Sequence, residues 1–265
     1  MKYAVVTTNL LDLRTHPDHG AERASQLFLG QPLMVTSVRR GFARVKQPDG
    51  YSGWVDQRFL SKAERTIFDQ WPSMVNAVVS SAKGAPCFDS SGKPTPPHIL
   101  LYGTLVKTAC SRRGTQRLAL AGEGNLFVKR SHFRSISRTT AGKLSGRRLL
   151  NEARRFLGVP YLWGGVSPLG FDCSGFVQTL LAGFGICIPR DTRQQIGVGQ
   201  KVERDRIKTG DLMFFDRHVG LAIGAEKIIH ASRGGGGVRI NSLNRNDHDY
   251  RADLDRDFRT ARRLL

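Results

Sequence analysis

The stretch Tyr161-Leu162-Trp163-Gly164-Gly165, followed by Phe171-Asp172-Cys173-Ser174-Gly175-Phe176-Val177-Gln178, decides how this chain is read. Its glycines mark turns. After Cys173, the apolar residues Phe176, Val177, Leu180 and Leu181 recur at helical spacing, so a helix is predicted over Cys173–Ala182, stopped by Gly183 and Gly185. Cys173 then stands where a loop turns into a helix. Free N–H groups and the positive end of the helix dipole favour negative charge at such a point. That suits a nucleophilic cysteine, because the thiolate is the reactive form. The rival reading is a buried structural cysteine, the usual fate of a lone thiol. Cys187, flanked by Ile186 and Ile188, fits that rival, as do Cys87 and Cys110. The polar neighbours Asp172 and Ser174 set Cys173 apart.

A thiol nucleophile needs a base within hydrogen-bond reach, and the base needs a third group to fix its tautomer. Of seven histidines, His218 and His230 bracket one predicted hairpin, His218-Val219-Gly220-Leu221-Ala222-Ile223-Gly224-Ala225-Glu226-Lys227-Ile228-Ile229-His230. On adjacent antiparallel strands the two imidazoles meet only if the register keeps both on one face. Failing that, they are ordinary strand-end histidines. His16, His19, His98, His132 and His248 lie in loops or polar stretches and read as surface residues.

Working outward, Ser145 is a candidate N-cap for a helix whose Leu149, Leu150, Ala153, Phe156 and Leu157 form one apolar face. Gly158 and Pro160 end it. Beyond the Cys173 helix come strand signals at Leu212–Phe215, Val219–Ile223, Lys227–Ala231 and Val238–Ile240. Helices followed by antiparallel strands make this region, residues 145–265, an α+β domain. The N-terminal part looks all-β: Leu33–Val35, Phe42–Val45 and Gly53–Val55 read as strands separated by turn signals, with Trp54 and Val55 on opposite faces. The pattern then returns. Leu29–Val35 is echoed by Leu101–Lys107, Val38–Val45 by Cys110–Leu118, and Gly53–Val55 by Gly124–Val128, each copy followed by a phenylalanine, Phe59 or Phe133. Two tandem small β-barrels are expected, at 1–63 and 80–140, joined by a linker at 64–79 with some helical character. A domain boundary is expected in the polar, aperiodic stretch 135–143.

The 265 residues carry 41 Lys and Arg against 22 Asp and Glu, a formal charge of +19. The bland meaning is attraction to anionic polymers or surfaces in general. No long basic run interleaved with aromatics supports specific nucleic-acid binding; binding through the basic surface remains a non-enzyme alternative, and a steep loss of DNA affinity with salt and no sequence preference would mark it as incidental. No Cys-x-x-Cys pair suggests a zinc ribbon, and four cysteines are too few for a disulfide scaffold. No stretch is apolar for long enough to span a bilayer. The apolar start of the chain is broken by Thr7, Thr8 and Asn9. A cytoplasmic protein without a leader is therefore the expectation, with the cell envelope as the alternative. A monomer is expected.

The Tyr161–Gln178 segment, then Gly210-Asp211-Leu212 to Phe215, then His218-Val219-Gly220 and His230-Ala231-Ser232, resembles the NlpC/p60-type cell-wall cysteine peptidases over residues 145–265. The resemblance implies a papain-like fold and a Cys–His–His triad: Cys173 as nucleophile, His218 as general base and His230 as the group orienting it. Tyr161 and backbone N–H groups at the helix start would hold the oxyanion. Thiolate chemistry implies no metal and no cofactor. The order of pieces in the N-terminal part resembles bacterial SH3-like domains. The whole arrangement is similar to the three-domain γ-D-glutamyl–diamino-acid endopeptidases of the dipeptidyl-peptidase VI type.

That likeness implies hydrolysis of the bond between γ-D-Glu and a diamino acid (diaminopimelate or Lys) in murein peptides. It places recognition of a free N-terminal L-Ala on Glu22 and Tyr51, with Asp172 and Ser174 contacting the substrate amine and backbone. The other readings are a helix N-cap for Asp172, a solvated surface charge for Glu22 and a turn aromatic for Tyr51. Two alternative functions stand beside it, a secreted hydrolase of intact wall and a non-catalytic wall-binding protein. An anionic wall polymer is a candidate partner.

Overall fold

A computed structural model describes residues 1–112, 114–120, 123–136 and 144–265, and it divides into two units, 1–137 and 138–265. The side chain of Cys110 lies outside the described residues. So do Arg113 and residues 137–143, which hold most of the expected boundary and the expected end of the second barrel.

The first unit holds two seven-stranded sheets. Strands β1 (Tyr3–Val6), β2 (Leu10–Arg14), β3 (Arg23–Phe28), β4 (Pro32–Arg39), β5 (Phe42–Lys46), β6 (Ser52–Asp56) and β7 (Leu60–Lys62) pair in the order β3-β2-β6-β5-β4-β1-β7. After helix α1 (Arg65–Met74) come β8 (Ala77–Val79), β9 (Ala85–Phe88), β10 (Pro94–Leu100), β11 (Leu105–Arg112), β12 (Thr115–Leu120), β13 (Glu123–Lys129) and β14 (Phe133–Ser135). Their order, β10-β9-β13-β12-β11-β8-β14, repeats the first with seven added to each number. Each sheet curls around its own core, because alternate residues turn inward. In β2, for instance, Leu11 and Leu13 are buried and Leu10, Asp12 and Arg14 are not.

Hydrogen bonds fix how the two copies align. The Gly30 amide donates to the Val6 carbonyl and that of Gly103 to Val79, at 2.9 and 3.0 Å. Two details differ from the sequence expectation. Ala77–Val79, read as the end of the linker, is the first strand of the second sheet. Phe133 matches Leu60 and not Phe59: each opens the closing strand after a 3-10 turn and packs on its own core, whereas Phe59 is exposed. Trp71 of α1 is buried against Val5 of the first sheet, with Leu105 of the second beside it. Leu29 from the first copy joins the core of the second.

In the second unit, Ser145 Oγ accepts the Arg148 amide at 3.3 Å and starts α2 (Gly146–Arg154). Leu149, Leu150, Ala153 and Phe156 are buried as expected, but Leu157 is exposed, because the helix unwinds before it. The short pair β15 (Val166–Ser167) and β16 (Gly170–Phe171) leads into α3 (Cys173–Ala182). Phe156, Phe171 and Phe176 meet edge to face, with centroids 5.4 to 6.5 Å apart. They clamp the end of α2, the approach to Cys173 and α3 itself. Cys187, expected to be buried, is exposed: the chain after α3 is irregular, and its alternation turns Ile188 inward and Cys187 outward.

After the short α4 (Thr192–Gln195), the strands are β17 (Gln200–Val202), β18 (Leu212–Phe215), β19 (His218–Ala222), β20 (Lys227–Ser232) and β21 (Gly237–Ser242). Then come α5 (Ala252–Asp257) and β22 (Phe258–Arg263). They form one antiparallel sheet, β17-β22-β18-β19-β20-β21, and α3 packs across β19 and β20. The whole chain is thus α+β, a helix-on-sheet domain preceded by two small β-barrels.

Gly146 sets the distance between α2 and this sheet. A Cβ there would lie 1.7 Å from the carbonyl oxygen of Thr209. Both atoms are backbone or fixed to it, so neither yields without moving an element. Gly146→Ala is expected to lower the stability of the second unit by about 1–3 kcal/mol, despite the better helix propensity of alanine. The urea midpoint of that unit checks this, and an unchanged midpoint contradicts it.

Candidate active site

The site is built around the first turn of α3. Asp172 is its N-cap, and its carboxylate accepts the Gly175 amide at 2.6 Å and the Gly164 amide at 3.0 Å. The buried Arg190 grips the same carboxylate through two nitrogens, at 2.6 and 3.2 Å, and donates to Ser174 Oγ at 2.7 Å. Ser174 Oγ in turn donates to Asp172 Oδ1 at 3.2 Å. A buried carboxylate is tolerable only when paired and hydrogen-bonded throughout, and here both of its oxygens are engaged. Asp172 and Ser174 are expected to contact substrate; here the Asp172 carboxylate ties the Gly164 turn to the helix, and the Ser174 hydroxyl bonds Asp172 and Arg190. Arg190 was not singled out from the sequence. Nothing in Ile188-Pro189-Arg190 signals that it reaches back to Asp172.

This frame presents Cys173 at the helix start, with only 9% of its surface exposed. Burial and the nearby Asp172 carboxylate push its thiol up. The Val219 and Ser174 amides and the Thr192 hydroxyl, 3.9 Å from the sulfur, act in the opposite direction. The Val219 amide matters for position as well, because it puts the sulfur beside the residue that follows His218.

His218 opens β19, and the β19–β20 register pairs Leu221 with Ile229 and Ala222 with Ile228. Continued one residue outward, it sets Gly220 opposite His230. A Cβ on Gly220 would lie 2.8 Å from the His230 Cβ and 2.5 Å from the end of Ile228. The bare glycine lets the His230 ring lean diagonally to His218 on the same face. His218 Nε2 and His230 Nδ1 lie 2.6 Å apart, and the rings are 77° from coplanar. The other nitrogen of His230 faces Asn241 Oδ1 on β21 at 3.0 Å. Burial drives both imidazoles towards neutrality: His218 falls to about 3, with His230 adding to the effect, and His230 to about 4, where the Asn241 contact partly offsets burial. Neither Gly220 nor Asn241 was picked out from the sequence.

Tyr161 is bridged to Phe171, its amide donating to the Gly236 carbonyl at 3.0 Å. Burial, then the proximity of Cys173 and Asp172, raise its phenol. The second unit thus brings together Cys173, His218, His230 and Tyr161. Glu22 and Tyr51 belong to the first unit: Glu22 precedes β3, its carbonyl accepting the Thr15 amide, and Tyr51 precedes β6 and packs on the first barrel's core. Among the described residues, no group of three or more His, Cys, Asp and Glu side chains is placed to hold a metal ion. Chemically, the arrangement offers a thiol at a helix start and a neutral imidazole pair, which suits nucleophilic attack on a carbonyl.

Residues 158–255 match the NlpC/P60 family and residues 13–60 match the bacterial dipeptidyl-peptidase Sh3 domain. The chain is 30% identical over 235 residues to the γ-D-glutamyl-L-lysine dipeptidyl-peptidase of Bacillus subtilis, covering 83% of this chain and 75% of that protein. It is 41% identical over 244 residues to the protein of the same name from Bacillus cereus, covering 83% and 70%. Dipeptidyl-peptidase 6 of Lysinibacillus sphaericus is 28% identical over 95% of both chains. In fold, the chain is similar to the crystal structure of an NlpC/P60 family protein from Bacillus cereus, with a TM-score of 0.84, 99% of both chains covered and 23% identity.

Two outcomes follow from the buried groups. Removing one partner of the Asp172–Arg190 pair leaves a buried charge alone, so Arg190→Met is expected to cost about 3–5 kcal/mol, read from the urea midpoint. The histidines give a pH dependence. Their folded values, about 3 and about 4, lie below the ordinary 6.5, so the unfolded chain takes up protons first as pH falls. Their contribution is complete above about pH 6.5 and is lost progressively down to the folded values. The paired variant His218→Leu with His230→Leu should show a flatter loss of stability over that window. An equally steep loss would mean that the imidazoles are not the groups responsible.

Proposed function

The chain belongs to the NlpC/P60 peptidase family, and from that premise we propose that it hydrolyses the bond between γ-D-Glu and a diamino acid, Lys or diaminopimelate, in murein peptides. The observation that carries this reading is the meeting of Cys173 at the start of a buried helix with His218 and His230, joined at 2.6 Å. The names of the Bacillus relatives, γ-D-glutamyl-L-lysine dipeptidyl-peptidases, supply the substrate class.

His218 has its Nε2 engaged by His230, which leaves Nδ1 to serve as the base. Burial holds the thiol protonated and the imidazoles neutral at rest, so the proton passes from Sγ to Nδ1 as sulfur attacks the carbonyl carbon. A C–S bond forms and the carbonyl π electrons move to oxygen. Backbone N–H groups at the start of α3, with the Tyr161 hydroxyl, receive that oxyanion. When it collapses, the C–N bond breaks and the diamino acid leaves as an amine, taking the proton from His218. Water then cleaves the thioester, with His218 again accepting a proton, and the thiol is restored. His230 keeps His218 aligned throughout.

Glu22 and Tyr51 of the first barrel are proposed to recognise the free ammonium of an N-terminal L-Ala, which would restrict the enzyme to stems released from glycan. The products are then L-Ala–γ-D-Glu and the remaining peptide. Digestion of L-Ala–γ-D-Glu–diaminopimelate, free or with its amine blocked, followed by mass spectrometry, tests this with Cys173→Ala as control. Cleavage of the free peptide alone, abolished in the control, is expected. Cleavage of both peptides would remove the amine recognition and favour action on intact wall. Cleavage of neither would overturn the peptidase assignment of substrate.

A further inference from the structure

We propose that Asn241 is a positioning residue that fixes where the protons sit on both imidazoles, and so decides whether Nδ1 of His218 carries a lone pair or a proton. The inference builds on the Cys173–His218–His230 reading and adds a member that acts only through the other two.

The argument starts one residue further out. The Asn241 amide sits between His230 Nε2, 3.0 Å from its Oδ1, and the backbone carbonyl of Asp249, 3.1 Å from its Nδ2. A carbonyl oxygen can only accept a hydrogen bond. It therefore requires the NH₂ end of Asn241 on its side, which settles the amide orientation without reference to the histidines. The Asp249 carbonyl is itself fixed, because it also accepts the Ser242 amide at 3.0 Å. The Arg251 amide returns to Ser242 at 2.9 Å, forming a short parallel bridge along β21. Asn241 is 3% exposed, so water does not compete for its place.

From that anchor the protons follow in order. Asn241 Oδ1 accepts, so His230 Nε2 carries the hydrogen. A neutral His230 then has a bare Nδ1, so across the 2.6 Å contact His218 Nε2 is the donor. His218 Nδ1 is left with its lone pair. Both rings are thus held in the Nε2–H form, and the basic nitrogen of His218 is Nδ1, the one proposed above to take the thiol proton. When His218 becomes an imidazolium, its Nε2 proton is shared with His230, whose own Nε2–H remains bound by Asn241. The charged groups acting on the pair are Arg239 and Arg251, which oppose a positive charge, and Asp253, which favours it. Asn241 itself adds no charge, so its contribution is one of orientation.

Remove the acceptor and His230 loses its reason to keep the proton on Nε2. Its other form, with Nδ1–H, would make His218 accept at Nε2 and carry its proton on Nδ1, facing the thiol with no lone pair. The test has two arms. In wild-type protein, long-range ¹H–¹⁵N correlation spectra at neutral pH should show both His218 and His230 as Nε2–H tautomers. Finding His230 as Nδ1–H overturns the proposal, whatever the variants do.

In the second arm, Asn241→Leu keeps the volume and removes the acceptor. It should lower kcat on the free peptide about 100-fold, within the range of general-base contributions, and leave KM within about twofold, since no substrate contact is lost. Asn241→Asp keeps the acceptor and adds a negative charge. It should retain far more activity than Asn241→Leu and move the acid limb of the kcat/KM profile to higher pH, because a nearby carboxylate favours imidazolium. Equal losses in both variants with an unmoved limb would mark Asn241 as a packing residue and overturn the proposal. Retained activity in His218→Ala would instead sink the triad itself, and the tautomer spectra would still decide the state of Asn241.

Discussion

One carboxylate holds the catalytic end of this molecule together. Asp172 joins the Gly164 turn, the first turn of α3 and Arg190 from the segment after that helix, and it does so with almost no water present. In such a place every unmet hydrogen bond is expensive. The arrangement therefore has little freedom: the turn, the helix start and the Pro189–Asp191 segment hold their relation or the charge is stranded. Cys173 inherits that rigidity. Its position rests on its predecessor being immobile as well as on the Val219 amide, the kind of support that the proposed nucleophile needs to stay within reach of a base.

A second constraint works across the sheet. The two histidines come from strands whose register places them diagonally, and a diagonal pair is ordinarily too far apart for two rings to bond. Gly220 closes the gap by having nothing to put in it. Asn241, two residues beyond the direct partner of His230 in the β20–β21 register, completes the line of polar groups. Three neighbouring strands thus supply one row of hydrogen-bonding atoms. They share that face with the hydrophobic residues Met213, Phe215, Ala222 and Ile228, which keep that part of the unit dry.

Much of this was legible in the sequence, for a physical reason. Where a local pattern carries the information, it could be read: the helical spacing after Cys173, the glycines that stop α3, the serine that caps α2, the alternating strands of the first barrel, and two histidines at the ends of one hairpin. Where the information is a relation between distant segments, it could not. Arg190 lies 18 residues from Asp172 in an irregular stretch. Asn241 looks like any polar residue in a strand until the registers of two hairpins are known. Ala77–Val79 is too short to signal a strand beside a helix. Cys187 failed differently: apolar neighbours suggested burial, but in irregular chain the direction of a side chain is set by what it packs on and not by the company it keeps.

The order of the catalytic sheet has a consequence for biosynthesis. The last strand, β22, lies between β17 and β18, and so occupies an interior position next to the strand that leads into His218. Until it is present, β18 is an open edge and the hydrophobic layer beneath lacks Ala261 and Phe258. Chains emerge from the ribosome N-terminus first and fold domain by domain. Each barrel, closed by its own local strands, has all its parts at hand early, whereas the hydrolase can assemble only after β22 has emerged. Folding of the second unit therefore waits on β22, which closes the open edge of β18.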